Sequence, residues 1–326
     1  MADCAGCVLN IIDFGHKYKT NLNDLLELYQ RHNLLSSKRV CEKCGRDVPL
    51  RVVKRTGSEG DRAVFACRRR LGGGVRCGWF VSARKHTFFE GSNLNLFEIG
   101  YFVVLWCLLP KPLGPNVKLE LGFTAKTIVD WCNFCREVCV AWVDAKKKKI
   151  GGPDIVVEID ENEFGKSRYH KGRHTEAQWV IGGVERDNHK NFFVVPMEKR
   201  DKETLLSVIK GWILPGTVIV SDFWKTYECL EDEGFVDLRE NHSMQFVDTR
   251  KNGHVMPKDG TSRSTQNIKN RWRHMKSGRS SIPSAGRRKE HFVGYLSEFL
   301  FKSTFPLENR VHNFFLAVAE LYPPLH

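Results

Sequence analysis

Ile155-Val156-Val157-Glu158-Ile159-Asp160-Glu161-Asn162-Glu163-Phe164 is the stretch on which the reading of the second half of the chain turns. Apart from Glu158, the run up to Ile159 is apolar, the pattern of a buried β-strand, and it ends at an acid, Asp160. Working outward, Gln178 to Val184 and Asn191 to Pro196 are two more β-runs joined through Asp187-Asn188, which predicts a hairpin after the first strand. Lys202 to Ile213 has helical spacing. Gly216-Thr217-Val218-Ile219-Val220-Ser221-Asp222 reads as a second buried-type strand, again ending in an acid. Further helices are predicted near Thr265–Ser277, Val293–Phe301 and Asn309–Leu321.

Two strands that each end in an aspartate, Asp160 and Asp222, supply what two-metal phosphoryl transfer needs, because rigid adjacent strands can hold carboxylates at the spacing two divalent ions require. Magnesium prefers such hard oxygen ligands. Either aspartate alone would read as a turn or helix cap, so the pair carries the argument.

The 326 residues suit two domains, and the 41% hydrophobic and 27% charged fractions are those of a chain that folds. The net charge of +13 is uneven. Residues 1–150 hold 25 Lys+Arg against 14 Asp+Glu, residues 151–250 hold 13 against 19, and residues 251–289 hold 11 against 1. Basic blocks of this kind meet phosphates by releasing condensed counterions, although a solvated surface is the plainer alternative. The longest apolar run, Ile99 to Leu109, is too short to cross a bilayer, so no membrane partner is expected. Met1 to Asn10 lacks the basic-then-apolar pattern of a signal peptide, which predicts that the eleven cysteines stay reduced inside the cell and favours metal binding over disulfides.

The first half contains the cysteines that matter most. Asn21 to Asn33 is spaced as an amphipathic helix, and Val40 to Phe80 changes to short β-runs with Gly-rich turns. Cys41 and Cys44, then Cys67 and Cys77, offer four thiolates that suit tetrahedral zinc, the second pair being more widely spaced than usual, with buried structural cysteines as the alternative. Cys107, Cys132, Cys135, Cys139 and Cys229 lie in apolar surroundings and read as packing residues. Cys4 and Cys7 form another CxxC with no obvious partners in the sequence and stay unassigned. Leu94 to Leu109 and Lys126 to Val143 read as helices, with a short helix and turn over Leu119 to Thr124 between them. This suits a helix-turn-helix in which Thr124 caps the last helix and Lys126, Thr127 and Asp130 face the major groove, with a small helical packing module as the plainer alternative. Arg68-Arg69-Arg70 and Arg84-Lys85-His86 are placed for phosphate contacts. The predicted organisation is therefore a helical segment over 1–39, a zinc ribbon over 40–90, a helix-turn-helix over 91–145, a linker over 146–153 and a catalytic domain over 154–326.

Several ordered motifs add a resemblance. Glu158 to Phe164 with Lys166 and Tyr169-His170-Lys171-Gly172-Arg173, then Trp179 to Arg186, resembles the opening of the catalytic domain of Merlin-group DNA transposases. These are related to bacterial insertion-sequence transposases of the DDE type. Val220 to Tyr227 resembles the group's second acidic motif. Asn241-His242-Ser243, Phe246-Val247-Asp248 and Ser264-Thr265-Gln266-Asn267-Ile268, with Trp272 and Lys276, resemble its third. The resemblance spans about residues 20–325. It implies an α/β, RNase-H-like catalytic domain behind the zinc ribbon and helix-turn-helix. It also implies cutting and joining of double-stranded DNA at terminal inverted repeats, with Mg2+ or Mn2+ held by two aspartates and a third acid.

Asp160 and Asp222 match the first two acids, but Lys269 stands where the pattern calls for Glu. Lysine has no acceptor for a cation and repels one. On the favoured reading this transposase is catalytically dead or strongly impaired, either decayed or retained by the host as a DNA-binding protein. On the other, Asn267, Asn270, Asp248 or Asp259 completes the site. The resemblance also gives Lys276 a DNA-backbone contact; Arg271 and Arg273 extend that basic surface, and Trp272 reads as a core anchor. Expected partners are DNA and further copies of the chain, since two ends must meet. Lys146 to Lys149 is a weak nuclear-import signal, and the nucleus is the expected location. A third class, an RNase-H-like nuclease with other substrates, is disfavoured by the extent of the resemblance.

Overall fold

The computed structural model describes residues 4, 6–53, 62–110, 113–164, 178–222, 230, 232–240, 265–277, 282 and 291–325. The chain divides into two compact units, residues 1–142 with 305–326, and residues 143–304.

The first unit opens with α1 (Ile11–Tyr18) and α2 (Leu22–Arg31), whose N-termini are capped by Asn10 and Asn21. A four-stranded antiparallel sheet follows in the order of the chain: β1 (Lys38–Val40), β2 (Asp47–Val53), β3 (Arg62–Ala66) and β4 (Phe80–Ser82). Next comes α3 (Leu96–Leu108), started by a capping box in which Asn95 and Glu98 satisfy each other's backbone amides. It is apolar nearly all round and is buried accordingly. Gly100, within α3, lies where an added Cβ would stand 2.1 Å from the Tyr29 hydroxyl oxygen, so only glycine lets α2 approach this closely. The helices α4 (Gly114–Leu121) and α5 (Ala125–Ala145) are joined through Gly122, which adopts the left-handed conformation. Thr124 accepts from the Thr127 backbone amide at 3.2 Å, the cap expected for α5.

The second unit is built on a five-stranded sheet. Its strands are β5 (Val156–Phe164), β6 (Gln178–Glu185), β7 (Phe192–Met197), β8 (Val218–Asp222) and β9 (Val236–Glu240), in the order β7-β6-β5-β8-β9. Strands β5, β6 and β7 are antiparallel neighbours, whereas β8 and β9 run parallel to β5. Helix α6 (Lys202–Trp212) lies on one face, where Val157, Ile159, Ile181, Phe193, Leu205, Ile209 and Ile219 form a core. On the other face α7 (Gln266–Lys276) and α8 (Phe292–Thr304) pack through Ile268, Trp272, Met275, Phe292 and Leu296 onto Phe164, Val180, Val184 and Val194. The period-2 alternation of β5 therefore sends Val157 and Ile159 to one core and Phe164 to the other.

The last helix, α9 (Leu307–Leu321), belongs to the first unit, not to the domain expected over 154–326. Its apolar face joins the first core: the Phe314 ring lies 5.2 Å from that of Trp106, and Phe315 meets Tyr29 edge-on at 5.9 Å. The second unit is thus an insertion between α5 and α9. The stretch 146–153, expected to be a linker, is instead held within the second unit. Ile150 is buried and exchanges backbone hydrogen bonds with Trp212 and Leu214, and Lys149 donates to the Lys210 carbonyl at 2.6 Å. Helix α1 and strand β9 were not anticipated.

Candidate functional site

Asp160 does not end its strand. β5 continues to Phe164 because residues 160–164 stay paired with β6. What stops is the parallel neighbour: Ile159 pairs with Ser221 in the last register step between β5 and β8, so Asp160 and Asp222 stand in the following row of adjacent strands. The backbone therefore brings together the two positions singled out in the sequence.

The face of β5 that carries Asp160 is matched, residue for residue, by α7. Glu158, nearest the start, is 1% exposed and sits at the N-terminus of α7. It accepts from the Asn267 backbone amide at 2.8 Å, the Ile268 amide at 3.2 Å, the Asn267 side chain at 2.8 Å and Arg186 Nε at 3.1 Å. A carboxylate there meets both the orphan amides of the first helical turn and the positive end of the helix dipole. Two residues on, Asp160 accepts from the indole Nε1 of Trp272 at 2.9 Å. Two more on, Asn162 accepts from Lys276, whose ammonium also lies 5.1 Å from the centre of the Phe164 ring.

Glycine makes this close docking possible. Gly182 on β6 pairs with Asp160, and a Cβ there would stand 2.7 Å from the Trp272 ring. Trp272 is buried, as a core anchor should be, yet its polar edge reaches the candidate site.

Lys269 lies one turn into α7 and lines an open cleft of about 550 Å³ with Asp160, Asn162, Trp272, Arg273, Lys276 and Ser277. Among the described side chains of this cleft one carboxylate faces three cations, Lys269, Arg273 and Lys276. Taken by themselves, these side chains offer a divalent metal one hard anionic ligand and three repelling cations. Among the described residues, the neighbouring candidates each have another partner. The Asn270 side-chain oxygen accepts from Gln266 at 3.2 Å, the Asn267 side-chain nitrogen is held by Glu158, and Glu161 pairs with Arg200 at 3.1 Å. Asp248 and Asp259 lie outside the described residues, as do the motif residues 165–177, 223–229 and 241–264.

Arg271 donates to the His189 carbonyl, and its guanidinium lies 3.8 Å from the centre of the Phe192 ring, so it also ties α7 to the β6–β7 hairpin. Arg273 and Lys276 are exposed.

In the first unit the four expected cysteines converge. Cys41 and Cys77 stand 3.5 Å apart, Cys44 and Cys67 3.6 Å, and all four sulfurs lie within 4.8 Å of one another. Cys41 and Cys44 occupy a tight turn between β1 and β2, closed by the Gly45 amide on the Cys41 carbonyl at 2.8 Å. The wide second spacing has a simple cause: Arg70 and Arg76 bridge across a hairpin that loops out the intervening residues and returns Cys77 beside Cys67. A hydrogen bond from the Arg46 backbone holds the Cys44 thiol down at about 7, toward the thiolate that binds metal. Arg68, Arg69 and Arg70 are exposed on this hairpin, with Arg69 donating to the Cys44 carbonyl at 3.3 Å. Lys126 and Asp130 are exposed on the first turns of α5, and Thr127 is half-buried. Cys107, Cys132, Cys135 and Cys139 are buried, as packing residues are.

A second cluster appears that the sequence did not disclose: Cys4, Cys7, His32 and His312. The Cys4–Cys7 spacing is visible in the sequence, but its histidine partners lie 25 and 305 residues from Cys7, where no local spacing points to them.

Among the described residues no helix is long and apolar enough to cross a membrane. No curated protein and no solved structure matches the chain. Residues 149–304, the stretch that carries Asp160, Asp222, Lys269 and the α7 contacts, match the model of the ISXO2-like transposase domain, to which this part of the chain is similar.

Proposed function

We propose that the chain is a transposase-type protein that binds double-stranded DNA at transposon terminal inverted repeats and whose strand-cutting site is silenced by Lys269. The observation that carries this reading is the sharing of one cleft by Lys269 and Asp160. The strand order β7-β6-β5-β8-β9, with antiparallel and parallel partners on opposite sides of β5 and helices on both faces, supports an RNase-H-like core. The ordered motifs favour the Merlin group. The cysteine cluster, read as a zinc site, stiffens a small sheet that presents Arg68 to Arg70, and α4–α5, read as a helix-turn-helix, presents Lys126.

In an active relative of this design, divalent ions between the aspartates and a third acid would activate the attacking water or 3′-hydroxyl. Here the residues do other work. Trp272 orients Asp160, Glu158 seats the start of α7, and Lys269, Arg273 and Lys276 make a cation-lined cleft suited to a phosphate backbone. A role that joins two ends requires a homo-oligomer, and the site of action is the nucleus.

The test is strand cleavage on terminal-repeat DNA in Mg2+ or Mn2+, with the protein as it stands, Lys269→Glu, and Lys269→Glu combined with Asp160→Ala. Binding without cutting in the first, with cutting gained in the second and lost in the third, is expected. Asp160-dependent cutting by the unmodified protein would overturn the silencing.

A further inference from the structure

We infer that Cys4, Cys7, His32 and His312 form a second zinc site that fastens the beginning of the chain to its last helix. The Cys7 sulfur stands 3.3 Å from His32 Nε2 and 3.6 Å from His312 Nδ1, and those two ring nitrogens are 3.1 Å apart. The Cys4 sulfur completes the set, with all four atoms within 4.8 Å of one another. Tetrahedral zinc, with bonds of about 2.3 Å to sulfur and about 2.0–2.1 Å to nitrogen, holds its ligand atoms roughly 3.3–3.8 Å apart. These three separations fit that tetrahedron with only slight contraction.

The surroundings select the ligand atoms. His32 Nδ1 lies 2.8 Å from the Leu28 carbonyl, an acceptor only, so that nitrogen carries the proton and Nε2 keeps its lone pair for metal. His32 is fully buried and His312 nearly so, while Cys4 and Cys7 are half-buried, the enclosure of a structural site rather than an open catalytic one. The two cysteines are free thiols, and the Cys4 amide bonds to the Arg31 carbonyl at 3.2 Å, fixing the CxxC against the end of α2.

The position gives the site its purpose. The first unit is interrupted between α5 and α9 by the inserted second unit, so its last helix must find the rest of its own core across a long insertion. A metal shared by the N-terminal CxxC, the end of α2 and α9 locks that closure. Because binding free energy becomes folding free energy, it does so at both ends of the unit at once.

Zinc is counted by plasma mass spectrometry on the full chain after exhaustive desalting against a weak chelator. Two zinc ions per chain are expected, falling to one in Cys7→Ser, to one in His312→Ala and to one in Cys44→Ser. The conservative replacement His312→Cys keeps two. Zinc-edge X-ray absorption on the unmodified protein provides a reading that does not depend on the fold of any variant. Two sites average three sulfurs and one nitrogen per zinc. A single zinc with four sulfurs, insensitive to Cys7→Ser, would overturn the second site and leave the four-cysteine site standing. A single zinc with mixed nitrogen and sulfur would instead remove the four-cysteine site and keep this one.

Discussion

The indole nitrogen of Trp272 donates to the carboxylate of Asp160 at 2.9 Å, joining the hydrophobic core to the candidate site. Trp272→Phe removes the donor together with the ring edge that packs on Gly182, and should cost about 3 kcal/mol or more from the lost hydrogen bond and the cavity combined. Gly182→Ala reaches the same contact from the sheet side, because the new methyl meets the Trp272 ring at 2.7 Å, and should cost about 1–3 kcal/mol through overpacking. Urea denaturation of the two variants checks both values, and an unchanged midpoint for Gly182→Ala would show that α7 does not dock as described.

Glu158 binds the start of α7 and Arg186 together in a nearly dry environment, their side chains being 1% and 11% exposed. Glu158→Ala leaves the arginine uncompensated and several donors without an acceptor, and should destabilise the second unit by about 3–5 kcal/mol. Glu158→Gln keeps the shape and some acceptor capacity but loses the charge at the helix N-terminus, so a smaller loss is expected. Thermal unfolding of the pair checks the order.

The buried contact between Tyr29 and α3 gives a test in the first unit. Gly100→Ala would gain up to about 1 kcal/mol of helix propensity in isolation. In the protein the methyl group runs into the Tyr29 hydroxyl, so net destabilisation is expected. Tyr29→Phe gives up the hydrogen bond to the Leu96 carbonyl at 2.8 Å and should cost about 1 kcal/mol. The double variant should recover part of the Gly100→Ala loss, which a double-mutant cycle measures directly.

The proposed DNA binding should weaken steeply with salt, as expected of contacts that neutralise phosphates. Arg69→Ala and Lys126→Ala should each lower affinity, and Arg69→Ala should also reduce the slope of log K against log salt by about one per lost phosphate contact. Fluorescence anisotropy across a salt series, on terminal-repeat and scrambled duplexes, separates positioning contacts from sequence reading.

Much of this architecture could be read from the chain. Period-2 and helical spacings located β5 to β8 and α5 to α9 within a few residues, because each buries a distinct apolar face. Asp160 reads as a strand end because the apolar run stops there. Pairing with β6 carries the strand past it, and a single sequence does not display its neighbour. The insertion of one unit into the other was hidden for a related reason: α9 is amphipathic whichever core receives it. The wide Cys67–Cys77 spacing looked irregular until the Arg70–Arg76 bridge closed the loop. Glu158 did leave a signal, as the lone charge within Val156-Val157-Glu158-Ile159, but its partners 28 and 109 residues away did not.

The claim that Lys269 bars divalent metal from the Asp160 cleft is tested most directly by titrating Mn2+ and following its free electron-paramagnetic signal, with the unmodified protein beside Lys269→Glu and Lys269→Glu/Asp160→Ala. Reversing two units of charge inside the cleft should tighten Mn2+ binding on the order of 10–100-fold, and Asp160→Ala should abolish that gain. Equally tight, Asp160-dependent Mn2+ binding by the unmodified protein would contradict the account.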